Sequence, residues 1–233
     1  MLPVMRLDKF VCKSTELSKQ QAIQKINLGE LSVNDVITLD ETTQVHENNT
    51  IMLNGLRLKP RDFRYIVMHK PAATICSNID EAYPSIFNYL DVENISELHI
   101  AGRLDADTTG LVLITDDGRW SFNITRPAKQ CGKVYRVKLS NDLADDVASK
   151  FKKGLNLQGE QQLTLPATLE VISAREVLLT IMEGRFHQVK RMFAAVSNRV
   201  VSLHREQIGD ICLDVGVGQW RYLSINEVQS FRE

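Results

Sequence analysis

The sequence predicts an α+β protein in two parts, residues 1–59 and residues 60–233, the second built on a mixed, mainly antiparallel sheet. Three observations predict it. Apolar residues recur at helical spacing near the N-terminus and at strand spacing through most of the remaining chain. A proline-marked polar stretch, Lys59-Pro60-Arg61-Asp62, separates the two patterns. The 233 residues, 43% hydrophobic and 24% charged and without repeats or low-complexity segments, suffice for two cores.

Taken in order, residues 6–13 place Leu7, Phe10 and Val11 on one helical face. Ser18 reads as an N-cap with Gln21 at the capping-box position; Ala22, Ile23 and Ile26 follow, and Gly29 can end that helix. Leu31, Val33, residues 36–39 and residues 51–53 read as short strands, with polar turns at Asn34-Asp35 and Asn48-Asn49. Beyond Pro60, residues 63–68, 111–115, 133–139, 167–172 and 176–182 alternate or run apolar as strands do. Residues 186–196 suit a helix with Phe186, Val189 and Phe193 on its buried face.

Composition narrows the function. Apolar runs such as residues 111–114 fall far short of the ~20 residues that span a bilayer, and residues 1–10 hold no secretory signal, so a cytoplasmic protein is expected. Cys12, Cys76, Cys131 and Cys212 are scattered without a C-x-x-C pair, which disfavours a zinc knuckle or a disulfide framework and leaves reduced thiols. The net charge of −1 hides a segregated distribution. Residues 118–141 carry Arg119, Arg126, Lys129, Lys133, Arg136 and Lys138 without an acid, and residues 184–205 carry Arg185, Lys190, Arg191, Arg199 and Arg205 likewise. Lys9, Lys13, Lys19 and Lys25 give the N-terminal helices a basic face. Such segregation builds a local positive field suited to a polyanion, although ordinary solvated faces give the same pattern.

Three constellations could carry chemistry. Asp105 lies in Gly102-Arg103-Leu104-Asp105-Ala106-Asp107-Thr108-Thr109-Gly110, a glycine-bracketed loop of the kind that presents catalytic groups. Read alone, Asp105 and Asp107 also suit a turn in which each bonds its own backbone. The stretch Glu183-Gly184-Arg185-Phe186-His187-Gln188-Val189-Lys190-Arg191-Met192 leaves Lys190 or Arg191 to point at a neighbouring cleft, and a lysine beside a carboxylate keeps it ionised at neutral pH, as a nucleophile requires. His187 within it reads as structural or phosphate-contacting rather than as a general base. In Lys133-Val134-Tyr135, a strand tyrosine flanked by bases can stack on a nucleobase or belong to the core. Asp105-x-Asp107-x-Thr109 also spells the nucleophile motif of magnesium-dependent phosphatases. That motif should close an unbroken strand, which Gly102-Arg103 interrupts, and Asp116-Asp117 follows too soon to serve as its metal pair.

As an ordered set, Lys70-Pro71 after a strand, the G-R-L-D loop with Thr109-Gly110-Leu111, Lys133-x-Tyr135, the stretch from Glu183 to Met192, and Leu203-x-Arg205-x-x-Ile208-Gly209 resemble the pseudouridine synthases over nearly the whole chain. Asp107-Thr108-Thr109 after Asp105 resembles the group acting on small-subunit rRNA. Arg6-Leu7-Asp8-Lys9-Phe10, Ser18-Lys19 with Ala22, and Gly29 followed by Leu31, Val33 and Asn34 resemble the S4 RNA-binding module.

The resemblance implies an S4-like domain over residues 1–59 followed by a pseudouridine synthase catalytic domain over residues 60–233. It implies an isomerase (an intramolecular transferase) that converts a uridine of 16S rRNA to pseudouridine, acting as a monomer on 16S rRNA or a small-subunit assembly intermediate, without metal or organic cofactor. Asp105 matches the catalytic aspartate, which attacks the nucleotide while the glycosidic bond is cut and the uracil is reattached through C5. Arg103, Tyr135, Lys190 and Leu223 match the substrate site: Tyr135 stacks on the extruded base, Lys190 pairs with the aspartate and Leu223 packs near the base. Arg6, Lys9, Lys19, Lys25, Lys133, Arg185, Gln188, Arg191 and Arg205 are the expected RNA contacts. The alternatives are the same reaction on 23S rRNA, or a non-catalytic RNA-binding protein of the S4 type.

Overall fold

The change in hydrophobic period becomes a unit boundary in the computed structural model, which describes residues 4–46 and 48–231; residues 1–63 form one unit and residues 64–233 another. The break in contacts lies after Phe63 because the polar stretch folds back on the first unit: Arg61 donates to Glu16 and to the Cys12 carbonyl, and the Lys13 ammonium lies 4.2 Å from the Phe63 ring centre.

In the first unit, α1 (Leu7–Ser14) buries Leu7, Phe10 and Val11, and α2 (Lys19–Asn27) buries Ala22 and Ile26. Both capping-box hydrogen bonds between Ser18 and Gln21 are present, answering amide donors that the first helical turn leaves open. Strand β1 (Met5–Arg6) pairs with β4 (Gln44–Val45). A second sheet runs in the order β3 (Val36–Ile37), β2 (Leu31–Val33), β5 (Ile51–Leu53), β6 (Leu56–Arg57). Asn34 and Asp35 join β2 to β3 with φ of +51° and +67°, a left-handed pair that Asn and Asp tolerate better than other non-glycine residues. The two-residue strands β1, β4 and β6 carry too little periodicity to be read from sequence.

The second unit is built on one nine-stranded sheet. Its main path runs β11 (Thr168–Ser173), β12 (Glu176–Ile181), β10 (Lys133–Leu139), β13 (Val200–Ile208), β9 (Thr109–Thr115), β7 (Tyr65–Lys70), β15 (Trp220–Tyr222), with β14 (Ile211–Cys212) on β13 and β8 (His99–Ala101) on β9. The β13·β9 pair is parallel and the other pairs described are antiparallel, so the sheet is mixed and mainly antiparallel. Strand β9 runs apolar from Leu111 to Ile114 because both its faces are covered. Leu111 and Leu113 pack with Trp120 and Ile124 of α3 (Gly118–Thr125) and with Val228 of α6 (Ile225–Gln229), while Val112 and Ile114 pack with Phe151 of α4 (Val147–Lys153) and Phe193 of α5 (Gln188–Ala195). No helix among the described residues is long and apolar enough to cross a membrane.

One helix starts later than its sequence suggests. His187 holds φ at +48°, so α5 begins at Gln188 and Phe186 precedes it, 76% exposed instead of buried. A left-handed residue breaks the helical phase that would have put Phe186 on the face of Val189 and Phe193.

Candidate active site

Residues 102–108 leave β8 and enter β9 where β13 replaces β8 as the neighbour of β9; Ala101 pairs with Leu113, whereas Thr109 and Gly110 pair with His204 and Arg205. This fork holds the Asp105 loop open at the sheet edge. Gly110 is required there: its φ is +109°, and a Cβ would sit 2.2 Å from the Arg205 carbonyl oxygen. Buried cations fix the loop from beneath. Lys70, with no exposed surface, donates from Nζ to the carbonyls of Pro71 (3.1 Å), Ala106 (3.2 Å) and Thr108 (2.9 Å). Arg205, 1% exposed, donates from Nε to the Leu111 carbonyl (2.7 Å) and from Nη2 to the Gly102 carbonyl (2.6 Å). The Leu104 amide donates to Cys76 Sγ at 3.3 Å. Burial pushes the Lys70 ammonium below and the Cys76 thiol above their ordinary titration ranges.

On this support Asp105 keeps 28% of its side chain exposed. Lys190 Nζ donates to Asp105 Oδ2 at 2.9 Å and to Asp107 Oδ1 at 2.6 Å, and His187 Nε2 lies 3.4 Å from Asp105 Oδ1. Burial works against the Lys190 charge, but its hydrogen bonds to Asp107 and Asp105 outweigh that and hold the ammonium above its ordinary range. The Lys190 hydrogen bond in turn holds Asp107 below the usual carboxylate range. The choice between Lys190 and Arg191 is settled by rotation, since successive helical residues lie about 100° apart. Arg191 turns to Glu160 and to the carbonyls of Gln158 and Phe186. Glu183, 6% exposed, positions the start of α5 by accepting from the Leu165 amide, Gln188 Nε2 and Arg185 Nε.

Asp105 opens into a cleft of about 670 Å³ whose lining includes Arg103, Tyr135, Phe186, His187 and Leu203. Tyr135 is 7% exposed and belongs to the core, yet it reaches the cleft, and its hydroxyl accepts from Arg205 Nη1 at 3.3 Å. The guanidinium of Arg103 is exposed and has no hydrogen-bond or ion-pair partner among the described residues. Tyr135 and Lys190, distant in sequence, are thus brought to the loop that carries Arg103 and Asp105.

Several expected RNA contacts, Lys133, Arg185, Gln188 and Arg205, line the same cleft but have their polar groups committed to partners within the protein. Lys133 is 5% exposed, its Nζ donating to the carbonyls of Ile124 (3.3 Å) and Cys131 (2.9 Å), and burial lowers its pKa. Arg205 and Gln188 are buried struts, and Arg185 is held by Glu183 and by the carbonyls of Gln162 and Leu163. In an acid-poor window a cation finds backbone carbonyls instead of carboxylates, so a basic stretch of sequence need not become a basic surface. Leu223 follows edge strand β15 and packs with Trp120 and Leu111 in the cluster on the other side of β9 from Tyr135, outside the lining of the cleft. In the first unit Lys13 is also buried; Arg6 pairs with Asp8 (2.9 Å), Lys25 pairs with Glu30 (2.7 Å), Lys9 lies 5.7 Å from the Phe63 ring centre, and Lys19 is exposed.

Two contributors had only partial signals in the sequence. His187 stood in the right motif without a sign that its backbone would turn it toward Asp105. Lys70 marked a motif whose use, anchoring residues 106 and 108, depends on the pairing of β7 with β9. The phosphatase arrangement does not fit, since the space between Asp105 and Asp107 is taken by the Lys190 ammonium.

Residues 64–195 match the family model of RNA pseudouridylate synthase. The chain is 48% identical over 228 residues to the ribosomal small subunit pseudouridine synthase A of Vibrio cholerae, covering 97% of this chain and 99% of the relative. Its counterpart of the same name from Escherichia coli K12 is 44% identical over 229 residues at the same coverage. A solved pseudouridylate synthase structure superposes with a TM-score of 0.72 at 40% identity, covering 97% of this chain and 99% of that one. With a family match over more than half its length and relatives this similar from end to end, the chain belongs to the RNA pseudouridylate synthases.

Proposed function

We propose that this chain isomerises a uridine of small-subunit (16S) rRNA to pseudouridine, with Asp105 as the group that acts on the nucleotide. One observation carries the reading: a carboxylate on a rigidly tied loop faces an open cleft and is paired with a lysine from a distant helix. The family match and the names of the full-length relatives agree with it.

The chemistry follows from these groups. A base stacked in a helix hides its C6 and C1′, so the nucleotide must be extruded, and the Tyr135 face offers it a replacement surface. The N1–C1′ bond breaks, a C5–C1′ bond forms, the C5 hydrogen leaves as a proton and N1 gains one, so product and substrate are isomers. A carboxylate suits this sequence because it is nucleophilic enough to add reversibly and a good enough leaving group to depart. Lys190 keeps negative charge on the loop, and Arg103, exposed beside Asp105, is placed to hold a phosphate or the displaced strand.

The first unit serves in this reading as an S4-like RNA-binding module, residues 1–59, to which Arg61 and Phe63 fold back; exposed Lys19 is its clearest phosphate contact. The protein acts as a monomer, since one chain supplies every group gathered at the cleft, and in the cytoplasm, where an rRNA or assembly-intermediate substrate is found. The test is to map pseudouridine across both ribosomal RNAs from cells with and without the gene. One site is expected to disappear from 16S rRNA; loss confined to 23S rRNA would move the substrate to the large subunit, and no loss would remove the reading.

A further inference from the structure

Phe186 is more exposed than any other large apolar residue described, at 76%, and it lines the cleft that holds Asp105. Its ring stacks on that of His187, with centroids 3.7 Å apart and planes 22° from parallel. His187 Nε2 is in turn 3.4 Å from Asp105 Oδ1. The two rings therefore form a step leading outward from the carboxylate, in which His187 covers one face of Phe186 and leaves the other open. The step has a fixed backbone: Arg191 Nη1 donates to the Phe186 carbonyl at 3.1 Å, and the Arg185 amide donates to Gln188 Oε1 at 2.8 Å.

A bare aromatic face loses the stabilisation of burial, and nothing in the core gains from it. What fits an open π-face in a cleft that also holds an exposed, unpaired guanidinium, Arg103, is a flat base carrying a phosphate. The base that reacts must reach Asp105, and the His187 ring separates that position from the outer face of Phe186. We infer that Phe186 stacks on an unpaired nucleobase next to the target uridine, so that Phe186 and His187 form a platform for a flanking nucleotide. This rests on the pseudouridine synthase reading and adds a substrate-positioning residue to it.

The test compares Phe186→Ala, Phe186→Leu and Phe186→Trp in the full chain, using a 16S rRNA transcript as the probe at one salt concentration. Base stacking should make Phe186→Ala bind about 5- to 150-fold more weakly. Phe186→Leu, which keeps apolar bulk without a π-face, should resemble Phe186→Ala, and Phe186→Trp should bind like wild type. All three should melt with the wild-type chain because the ring is exposed. After ultraviolet crosslinking of the wild-type chain, reverse transcription should stop beside the modified uridine, and the stop should vanish in Phe186→Leu. Unchanged binding in Phe186→Ala, wild-type binding in Phe186→Leu, or a crosslink away from the modified site would each overturn the inference. Pseudouridine formation by wild type is measured on the same transcript: its absence would remove the enzymatic reading, whereas its presence with unchanged Phe186→Ala binding would remove this inference alone.

Discussion

Acidic pairs stand at both ends of strand β9, and they differ in everything but residue type. Asp105 and Asp107 precede the strand with 28% and 73% of their side chains exposed, and they share one cation, Lys190. Asp116 and Asp117 follow it at 2% and 4% exposure. Asp116 accepts from the amide and Nε of Arg64, and Asp117 accepts from the amides of Arg119 and Trp120 at the start of α3 and from the Tyr65 hydroxyl. An ionised carboxylate has about four acceptor positions. At the C-terminal end of β9 backbone amides, a guanidinium and a tyrosine hydroxyl fill them, and the result is structure; at the other end they are left to a cleft, one ammonium and an imidazole, and the result is reactivity.

Arg205 should break the division most severely because it serves both ends of the sheet fork. Arg205→Leu leaves the carbonyls of Gly102 and Leu111 without their donor and is expected to cost about 2–4 kcal/mol in denaturant unfolding. It should also lower single-turnover activity by loosening the Asp105 loop. A variant with wild-type stability and rate would show that Arg205 ties down nothing.

Asp117→Ala sharpens the contrast on the structural side. Losing the N-cap of α3 and the partner of the Tyr65 hydroxyl should cost about 2–3 kcal/mol, or roughly 5–10 °C in melting temperature for a unit of this size. The pseudouridine yield per folded molecule should stay near wild type at temperatures below the transition. A large loss of rate with unchanged melting would place Asp117 in the chemistry and erase the distinction.

Lys190 gives a smaller effect, visible as pH dependence. Its ammonium titrates above the ordinary value of 10.5, so pairing with the loop is complete at neutral pH and is lost only as pH rises through that raised value. No activity loss from Lys190 is therefore expected between pH 7 and roughly 10. Lys190→Met removes the ammonium that holds Asp107 below the usual carboxylate range, so an acid limb of the pH–rate profile set by the loop should move to higher pH, while Lys190→Arg should keep it in place. Identical acid limbs in Lys190→Met and wild type would mean that the ion pair has no part in catalysis.

Local patterns were legible in the sequence; long-range polar partners were not. The Ser18–Gln21 capping box, strand Lys133–Leu139 and the loop carrying Asp105 depend on residues close in sequence, and they stand where the pattern puts them. The fates of Arg185 and Arg205 depend on carbonyls contributed by residues 22 to 103 positions away, which no periodicity encodes. Leu223 was placed by resemblance, but the edge position of β15 sets it against Trp120. Phe186 escaped because one left-handed residue, His187, shifted the start of a helix.

The most direct test of the difference between the two ends of β9 is Asp105→Asn, read for release of the C5 hydrogen from labelled uridine in a single turnover, alongside its melting temperature and RNA dissociation constant. The amide keeps the shape and removes the charge. Release is expected to fall by roughly 10⁴-fold or more, with melting and RNA affinity essentially those of wild type. Wild-type release from Asp105→Asn would contradict the assignment of Asp105 as the reacting group.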